Sequence, residues 1–316
     1  MYGHCLSPCY SLVHVTSTFL EAIKKIVPSE NILLNEPLAK HTTFKIGGPA
    51  DIFINVSSTQ EVSQIIKLCK ENQVNLHVLG NGSNILVLDK GIRGVLVKFG
   101  HNFAKMKFEN NRFIVGAGAL LKDVANFAAQ NGHSGMEFAV GIPGSIGGAV
   151  FMNAGAYEGE MSKVVESVTA INQAGEIIKY QNSEVDFSYR HSIFQDNHHI
   201  ICEVTLNLGA DNQTEITEKM NDFTTRRESK QPLDMPSAGS TFKRPVGYFA
   251  GTLIEQAGLK GFKVGGAMVS PKHAGFVINA GGATAQDVLD LIKEIQRIVY
   301  EKHGVNLQPE VKTMGE

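Results

Sequence analysis

The run Gly141-Ile142-Pro143-Gly144-Ser145-Ile146-Gly147-Gly148-Ala149-Val150-Phe151-Met152-Asn153-Ala154-Gly155-Ala156-Tyr157 constrains the fold of this chain more than any other stretch. Glycine loses more backbone freedom on folding than any other residue, so glycines this dense are poor material for helix or strand interiors. They belong where backbone must approach something closely. Successive exposed N–H groups in such a loop form a nest for anionic oxygens, and a pyrophosphate would fit one. A tight loop packed on its own domain explains the glycines equally well.

A second small-residue loop, Gly80-Asn81-Gly82-Ser83-Asn84, lies directly after the β-type run 75–79 and offers hydroxyl, amide and backbone donors to a phosphate. The plainer reading is a hairpin turn. Neither loop matches the dinucleotide fingerprint of the Rossmann fold. Gly116-Ala117-Gly118 is followed by Leu121 where that pattern wants glycine, and no strand–helix–strand with an acidic end follows. A Rossmann dehydrogenase is disfavoured.

At 316 residues the chain exceeds the length at which single cores usually stop growing, so two or three packed units are expected. A formal net charge of −2 with interspersed signs gives no reason to expect nucleic acid as a partner. No window approaches the roughly 20 apolar residues of a membrane span, and the N-terminus lacks the basic start of a signal peptide, so a cytoplasmic protein is expected. Cys5, Cys9, Cys69 and Cys202 are too scattered for a disulfide framework. Cys5 and Cys9 with His4 and His14 could hold a metal, although an untidy N-terminal extension is the better reading. No zinc spacing, P-loop or catalytic triad is present, and no obligate protein partner is evident.

Periodicity divides the chain into an N-terminal extension with a first helix (1–30), a first α+β unit (31–100), a second (101–210), a third (211–303) and a C-terminal segment (304–316). In the first, a strand at 51–56 precedes a helix opened by a Ser58/Glu61 capping box, with Val62, Ile65, Ile66 and Cys69 on one face. The second has a hairpin turning at Asn110-Asn111 and a helix burying Val124, Phe127 and Ala128, and its strand 199–208 ends in a polar linker at 209–214. The third starts with a helix at 214–228 and ends with a long amphipathic helix at 284–303 stopped by Gly304.

Three polar residues stand in unusual surroundings. Arg190, among Phe187, Tyr189 and Phe194, is placed to clamp a carboxylate, or is a plain surface arginine. Ser240, in a small-residue turn, presents a hydroxyl to a ligand or caps a helix. Glu310 alternates with apolar residues, as an inward carboxyl on a short strand would, or is a solvated edge glutamate. Arg226, Arg227, Lys230, Lys243 and Arg244 form a local basic cluster suited to a diphosphate or, alternatively, to a helix C-terminus.

Together the segment from His41 to Ala50, the two glycine loops, and the segments around Arg190, Ser240 and Glu310 resemble, in order and spacing, the UDP-N-acetylenolpyruvoylglucosamine reductase family. The likeness runs from about Asn31 to the end. It implies two α+β subdomains of the vanillyl-alcohol oxidase / p-cresol methylhydroxylase type that bind FAD, followed by an α+β substrate-binding domain. It further implies FAD, NADPH as co-substrate, and reduction of UDP-N-acetylglucosamine enolpyruvate in peptidoglycan precursor synthesis. By the same resemblance, Gly80, Asn81, Gly82, Ser83, Asn84 and Ile85 with Pro143, Gly144, Ser145, Ile146, Gly147 and Gly148 hold the FAD diphosphate. Gly116, Ala117, Gly118, Asn153, Gly155, Ala156 and Tyr157 add flavin contacts. Arg190 and Glu310 sit by the enolpyruvyl carboxylate, Ser240 is the proton donor and Tyr189 a substrate contact; Lys230 and Arg244 are the candidates for the UDP diphosphate.

Only 49 residues separate Arg190 from Ser240, too few for the tyrosine-bearing loop of the family's longer subtype, so the shorter subtype is implied. Arg244 also replaces an asparagine usual in the longer form. Two other readings stay open: an FAD-dependent oxidase of a small alcohol or sugar, and a non-catalytic UDP-sugar-binding module.

Overall fold

The capping signal before the first long helix is realised with a small shift. Ser58 Oγ accepts from the Glu61 N–H at 3.2 Å, while the Glu61 carboxylate accepts from Ser57 N rather than Ser58 N. The helix that follows, Thr59–Glu71, buries Val62, Ile65, Ile66 and Cys69. In the computed structural model, which describes residues 17–316, this helix covers one face of a sheet ordered Ile32–Pro37, Pro49–Val56, Ile92–Phe99, Leu76–Leu79. The first pairing is antiparallel and the other two are parallel. Both faces of the sheet are covered: Ile52, Ile54, Val95 and Val97 pack under the helix, and Phe53, Leu79 and Leu96 pack on the other side. The helix Ser17–Lys24 adds Phe19 and Ile23 to the first of these cores. Cys5, Cys9, His4 and His14 lie outside the described residues.

The second unit is a five-stranded antiparallel sheet ordered Ile177–Gln181, Val165–Ile171, Ile200–Leu206, Arg112–Gly116, Met106–Glu109. Its outer hairpin turns at Asn110 and Asn111, both with positive φ (50° and 60°), as a two-residue turn matched to strand twist requires. The helix Leu121–Gln130 packs on the sheet through Val124, Ala125 and Ala128. Phe127, expected in that buried face, is half-buried at its edge, with its ring edge-on to Phe113. Burial pushes the Cys69 and Cys202 thiols up to about 12, so neither is a nucleophile in the folded protein.

Two expectations need correction. Gly209 and Ala210 do not form a free linker but pair with Ser134 and His133. The helix Gln213–Lys230, expected to open the third unit, buries Ile216 and Met220 in the core of the second. Its weak amphipathicity hid this, since a helix with a narrow apolar stripe carries little signal about which sheet it covers.

The third unit packs the helices Ala250–Gln256 and Ala285–His303 on a three-stranded antiparallel sheet ordered Lys263–Val264, Ala267–Val269, Val277–Asn279. The long helix begins in a Thr284/Asp287 capping box and ends at Gly304 in the left-handed region (φ 68°). Phe44, Ile46 and Leu86, from far earlier in the chain, complete this core. Asp89 reaches across as well, its carboxylate accepting from the N–H groups of Ala285 (2.8 Å) and Gln286 (3.0 Å). Asp89→Ala would leave two first-turn donors to water, so thermal unfolding should report a loss of about 1 kcal/mol, roughly 2–4 °C in Tm.

Candidate active site

The two glycine loops face each other. The loop 80–84 is not a hairpin turn: the strand before it lies in the four-stranded sheet, and the strand after it, Ile85–Val87, pairs in parallel with Lys312–Met314. Asn81 Nδ2 donates to the Pro143 carbonyl at 2.7 Å. A Cβ on Gly80 would lie 2.7 Å from Ser145 Oγ, and one on Gly144 would lie 3.6 Å from Ser83 Oγ. Ser145 caps the helix Ile146–Phe151 by accepting from Gly148 N. Among the described residues, no protein acceptor meets the N–H groups of Gly80 to Asn84, Gly144 or Ser145. Gly82, Gly144 and Ser145 are buried. Seven unengaged donors on two apposed loops form a cradle whose chemistry suits a diphosphate.

Other glycines near the cradle have different tasks. Gly116, Ala117 and Gly118 donate to Lys105 O, Cys202 O and Phe103 O, so none of the three N–H groups is free for a cofactor. A Cβ on Gly116 would lie 2.2 Å from Phe103 O, and one on Gly155 would lie 2.7 Å from Gly159 O. Gly155 and Ala156 pair with Glu160 and Gly159 in a small hairpin. The Asn153 amide is buried and engaged, donating to Ser188 O (3.0 Å) and accepting from Ser162 N (3.0 Å). Tyr157 stacks on Phe223 at 4.3 Å and lines a separate groove with Glu137 and Lys219. The structure gives these residues packing roles within the protein, and the N–H groups of 116–118 are not among the free donors of the cradle.

Beside the cradle lies a cleft of about 340 Å³ that brings together Arg190, Ser240 and Glu310, with Tyr189 and Arg244 on its wall. Ser188 and His191 exchange backbone hydrogen bonds at 3.2 Å, so Tyr189 and Arg190 form the tip of a two-residue turn. Arg190 occupies the left-handed region (φ 58°), which a residue with a side chain adopts at a cost. Its Nε donates to Glu310 Oε1 at 2.7 Å, and no protein acceptor meets its two terminal nitrogens among the described residues. Both side chains are largely shielded, 23% and 14% exposed, so water and salt screen the pair less than they would a surface ion pair. Ser240 follows Gly239 (φ 76°) in a turn, with its Oγ donating to Phe242 O at 3.2 Å; no helix starts there to be capped.

Glu310 lies just before the strand Lys312–Met314, not on it. It is fixed by its own N–H donating to Thr241 O at 2.8 Å and by Asn84 Nδ2 donating to its carbonyl at 3.4 Å. Asn84 therefore joins the cradle to the cleft.

A model described as FAD binding domain matches residues 50–181, and one described as UDP-N-acetylenolpyruvoylglucosamine reductase, C-terminal domain, matches residues 231–314. The UDP-N-acetylenolpyruvoylglucosamine reductase of Clostridium perfringens (strain SM101) is 49% identical over 297 residues, covering 94% of this chain and 97% of the relative. This chain belongs to the UDP-N-acetylenolpyruvoylglucosamine reductase family. The reductase of Caldanaerobacter subterraneus is 48% identical over 94% of this chain and 98% of its own length. The crystal structure of the Thermus caldophilus enzyme superposes with a TM-score of 0.77 at 35% identity, covering 89% of this chain and 97% of that one. Membership makes the chain an FAD-containing oxidoreductase, and the cradle has the donors that an FAD diphosphate needs.

The basic cluster of this family member does not assemble as the sequence suggested. Arg226 pairs with Asp222, Arg227 packs along Gly141, and Lys230 is exposed outside the lining of the cleft. Of the five, Arg244 alone lines it, its guanidinium 4.0 Å from the Phe249 ring centre. The third cation of the cleft, beside Arg190 and Arg244, is Lys272, which sequence reasoning passed over; the turn Ser270-Pro271-Lys272 ahead of a strand was the available signal. His273 beside it was also missed. Burial holds its imidazole below the ordinary value, with Lys260 and Lys230 pushing the same way, so it is neutral at pH 7.

Gly80→Ala would place a Cβ against Ser145 Oγ and push the two loops apart. The variant should fold yet lose flavin on gel filtration, read as a fall in visible relative to ultraviolet absorbance. A full flavin complement would remove the loops from the cofactor site.

Proposed function

We propose that this protein reduces UDP-N-acetylglucosamine enolpyruvate to UDP-N-acetylmuramate, with NADPH as electron source and Arg190, Glu310 and Ser240 as the groups that act on the substrate. The observation that carries this reading is the Arg190–Glu310 pair, which shares one cleft with Ser240 and is linked to the diphosphate cradle through Asn84. When bound, reduced FAD supplies the hydride that adds to the terminal carbon of the enolpyruvyl double bond.

The protein's own part is to hold the carboxylate and deliver a proton. Because Glu310 occupies Nε, Arg190 can turn only its terminal nitrogens to an incoming carboxylate, and that fork geometry suits bidentate contact. As negative charge builds on the carboxylate side of the substrate, a guanidinium already fixed in place stabilises it without reorganising. Ser240 then protonates the adjacent carbon, which sets the lactyl stereocentre. A serine is a weak acid, adequate only against a strongly basic enolate-like carbon and from a well-placed hydroxyl. Rotation about χ1 frees that hydroxyl from Phe242 O. Tyr189, Arg244 and Lys272 border the same cleft, where the two cations suit the UDP diphosphate; Lys230 lies outside that lining. The chemistry suits a cytoplasmic enzyme supplied with nucleotide sugars, and among the described residues no helix is long and apolar enough to cross a membrane.

Two measurements test the reading. The purified protein should be yellow, bleach with NADPH in the absence of oxygen, and regain its colour when the enolpyruvyl sugar is added. Recovery with oxygen alone would favour an oxidase, and a colourless folded protein would favour a UDP-sugar-binding module. Ser240→Ala should leave flavin reduction by NADPH nearly unchanged while slowing reoxidation by the sugar by orders of magnitude; equal slowing of both half-reactions would remove Ser240 as proton donor.

A further inference from the structure

Arg190 holds a backbone conformation that an L-residue keeps only where its surroundings over-determine it. Its carbonyl shows what does so. Gln195, in the short helix Phe194–Asn197, donates through Nε2 to the Arg190 carbonyl and to the Phe151 carbonyl, both at 2.9 Å. Its Oε1 accepts from Lys312 Nζ at 3.1 Å. Phe151 ends the helix that grows out of the glycine-rich loop, and Lys312 opens the strand that follows Glu310. One side-chain amide thus binds the cradle helix, the arginine turn and the glutamate segment together.

These bonds, with a weak fourth from Nε2 to Met152 Sδ at 3.9 Å, are not equivalent. The Phe151 carbonyl has a second donor, the buried Ser192 hydroxyl at 2.9 Å, and stays partnered without Gln195. Among the described residues no other donor meets the Arg190 carbonyl. Loss of the amide therefore falls on the peptide plane that follows Arg190, which would then be held only by the longer His191 N–H bond to Ser188 O at 3.2 Å, and so on the direction of its guanidinium. Glutamine suits this position because its amide supplies both donors and the acceptor in one planar group. Glutamate would set a carboxylate against two carbonyl oxygens.

We infer that Gln195 is a positioning residue for Arg190, aiming the guanidinium at the substrate carboxylate without touching substrate or cofactor. The inference rests on the reductase reading given above. A purely structural glutamine would, when replaced, weaken every property of the enzyme alike. A positioning glutamine would affect the half-reaction that uses Arg190.

The test is anaerobic half-reaction kinetics on the flavin-loaded Gln195→Met enzyme, with melting temperature and flavin content recorded. Flavin reduction by NADPH should stay within about twofold of the unaltered enzyme, while reoxidation by UDP-N-acetylglucosamine enolpyruvate slows by roughly tenfold or more. In an Arg190→Lys background the same replacement should change reoxidation by less than about twofold, because the side chain it aims is already altered. Gln195→Glu keeps the Lys312 contact, gives up both donated bonds, and should show the same split if the methionine variant does not fold. Equal slowing of both half-reactions, no slowing, an undiminished effect beside Arg190→Lys, or failure of both variants to fold would each overturn the inference alone. An unaltered enzyme that the sugar does not reoxidise would overturn the reductase reading and the inference with it.

Discussion

The parallel pairing of Lys312–Met314 with Ile85–Val87 is the contact on which the rest of the site depends. It brings the C-terminal segment alongside the strand that leaves the first glycine loop. On its other side the same segment is tied to the turn carrying Ser240, through Glu310 N to Thr241 O and Lys243 N to Gln308 O, both 2.8 Å. Cradle, serine turn and glutamate are therefore set in register by backbone hydrogen bonds, whose geometry is independent of side-chain rotamers. Arg190 then joins by its side chain, at 2.7 Å from Glu310. A carboxylate held this firmly orients the arginine better than a flexible surface partner would.

Glycine serves two separate ends around this contact. In 80–84 and 144–145 it leaves N–H groups unengaged and side-chain-free space between two loops, so the backbone itself is free to meet a ligand. In 116–118 and at Gly155 it allows one stretch of backbone to press on another, and the N–H groups of 116–118 are consumed by that packing. Sequence density alone cannot separate the two, because both need the same missing Cβ. What separates them is the destination of the donors, a tertiary property.

Elements whose causes are local were legible from the sequence. The Ser58 cap, the Asn110-Asn111 turn, the face of the helix Thr59–Glu71 and the Gly304 stop each depend on residues within a few positions of one another. The helix Gln213–Lys230 was read correctly as a helix but assigned to the wrong core, since nothing in its own pattern names its partner. Of the site, Arg190, Ser240 and Glu310 were found through joint resemblance of segments and do meet in one cleft. Lys272, His273 and Gln195 were missed because each earns its importance from contacts far along the chain or from the shape of the cleft. The reverse error, the supposed basic cluster, arose because neighbours in sequence on a helix end point in different directions.

The register contact has a further consequence, in the order of assembly. Asn84 and Glu310 lie 226 positions apart, so closing that contact organises a very long loop, at an entropic cost that rises only with the logarithm of its length. The glycine-loop subdomains can collapse around their own cores first, each stabilised by shorter-range pairings. The cleft has no such local precursor. It therefore exists only where both ends of that separation have met, and a chain lacking the contact would lose the register of the serine turn, the glutamate and the first glycine loop together.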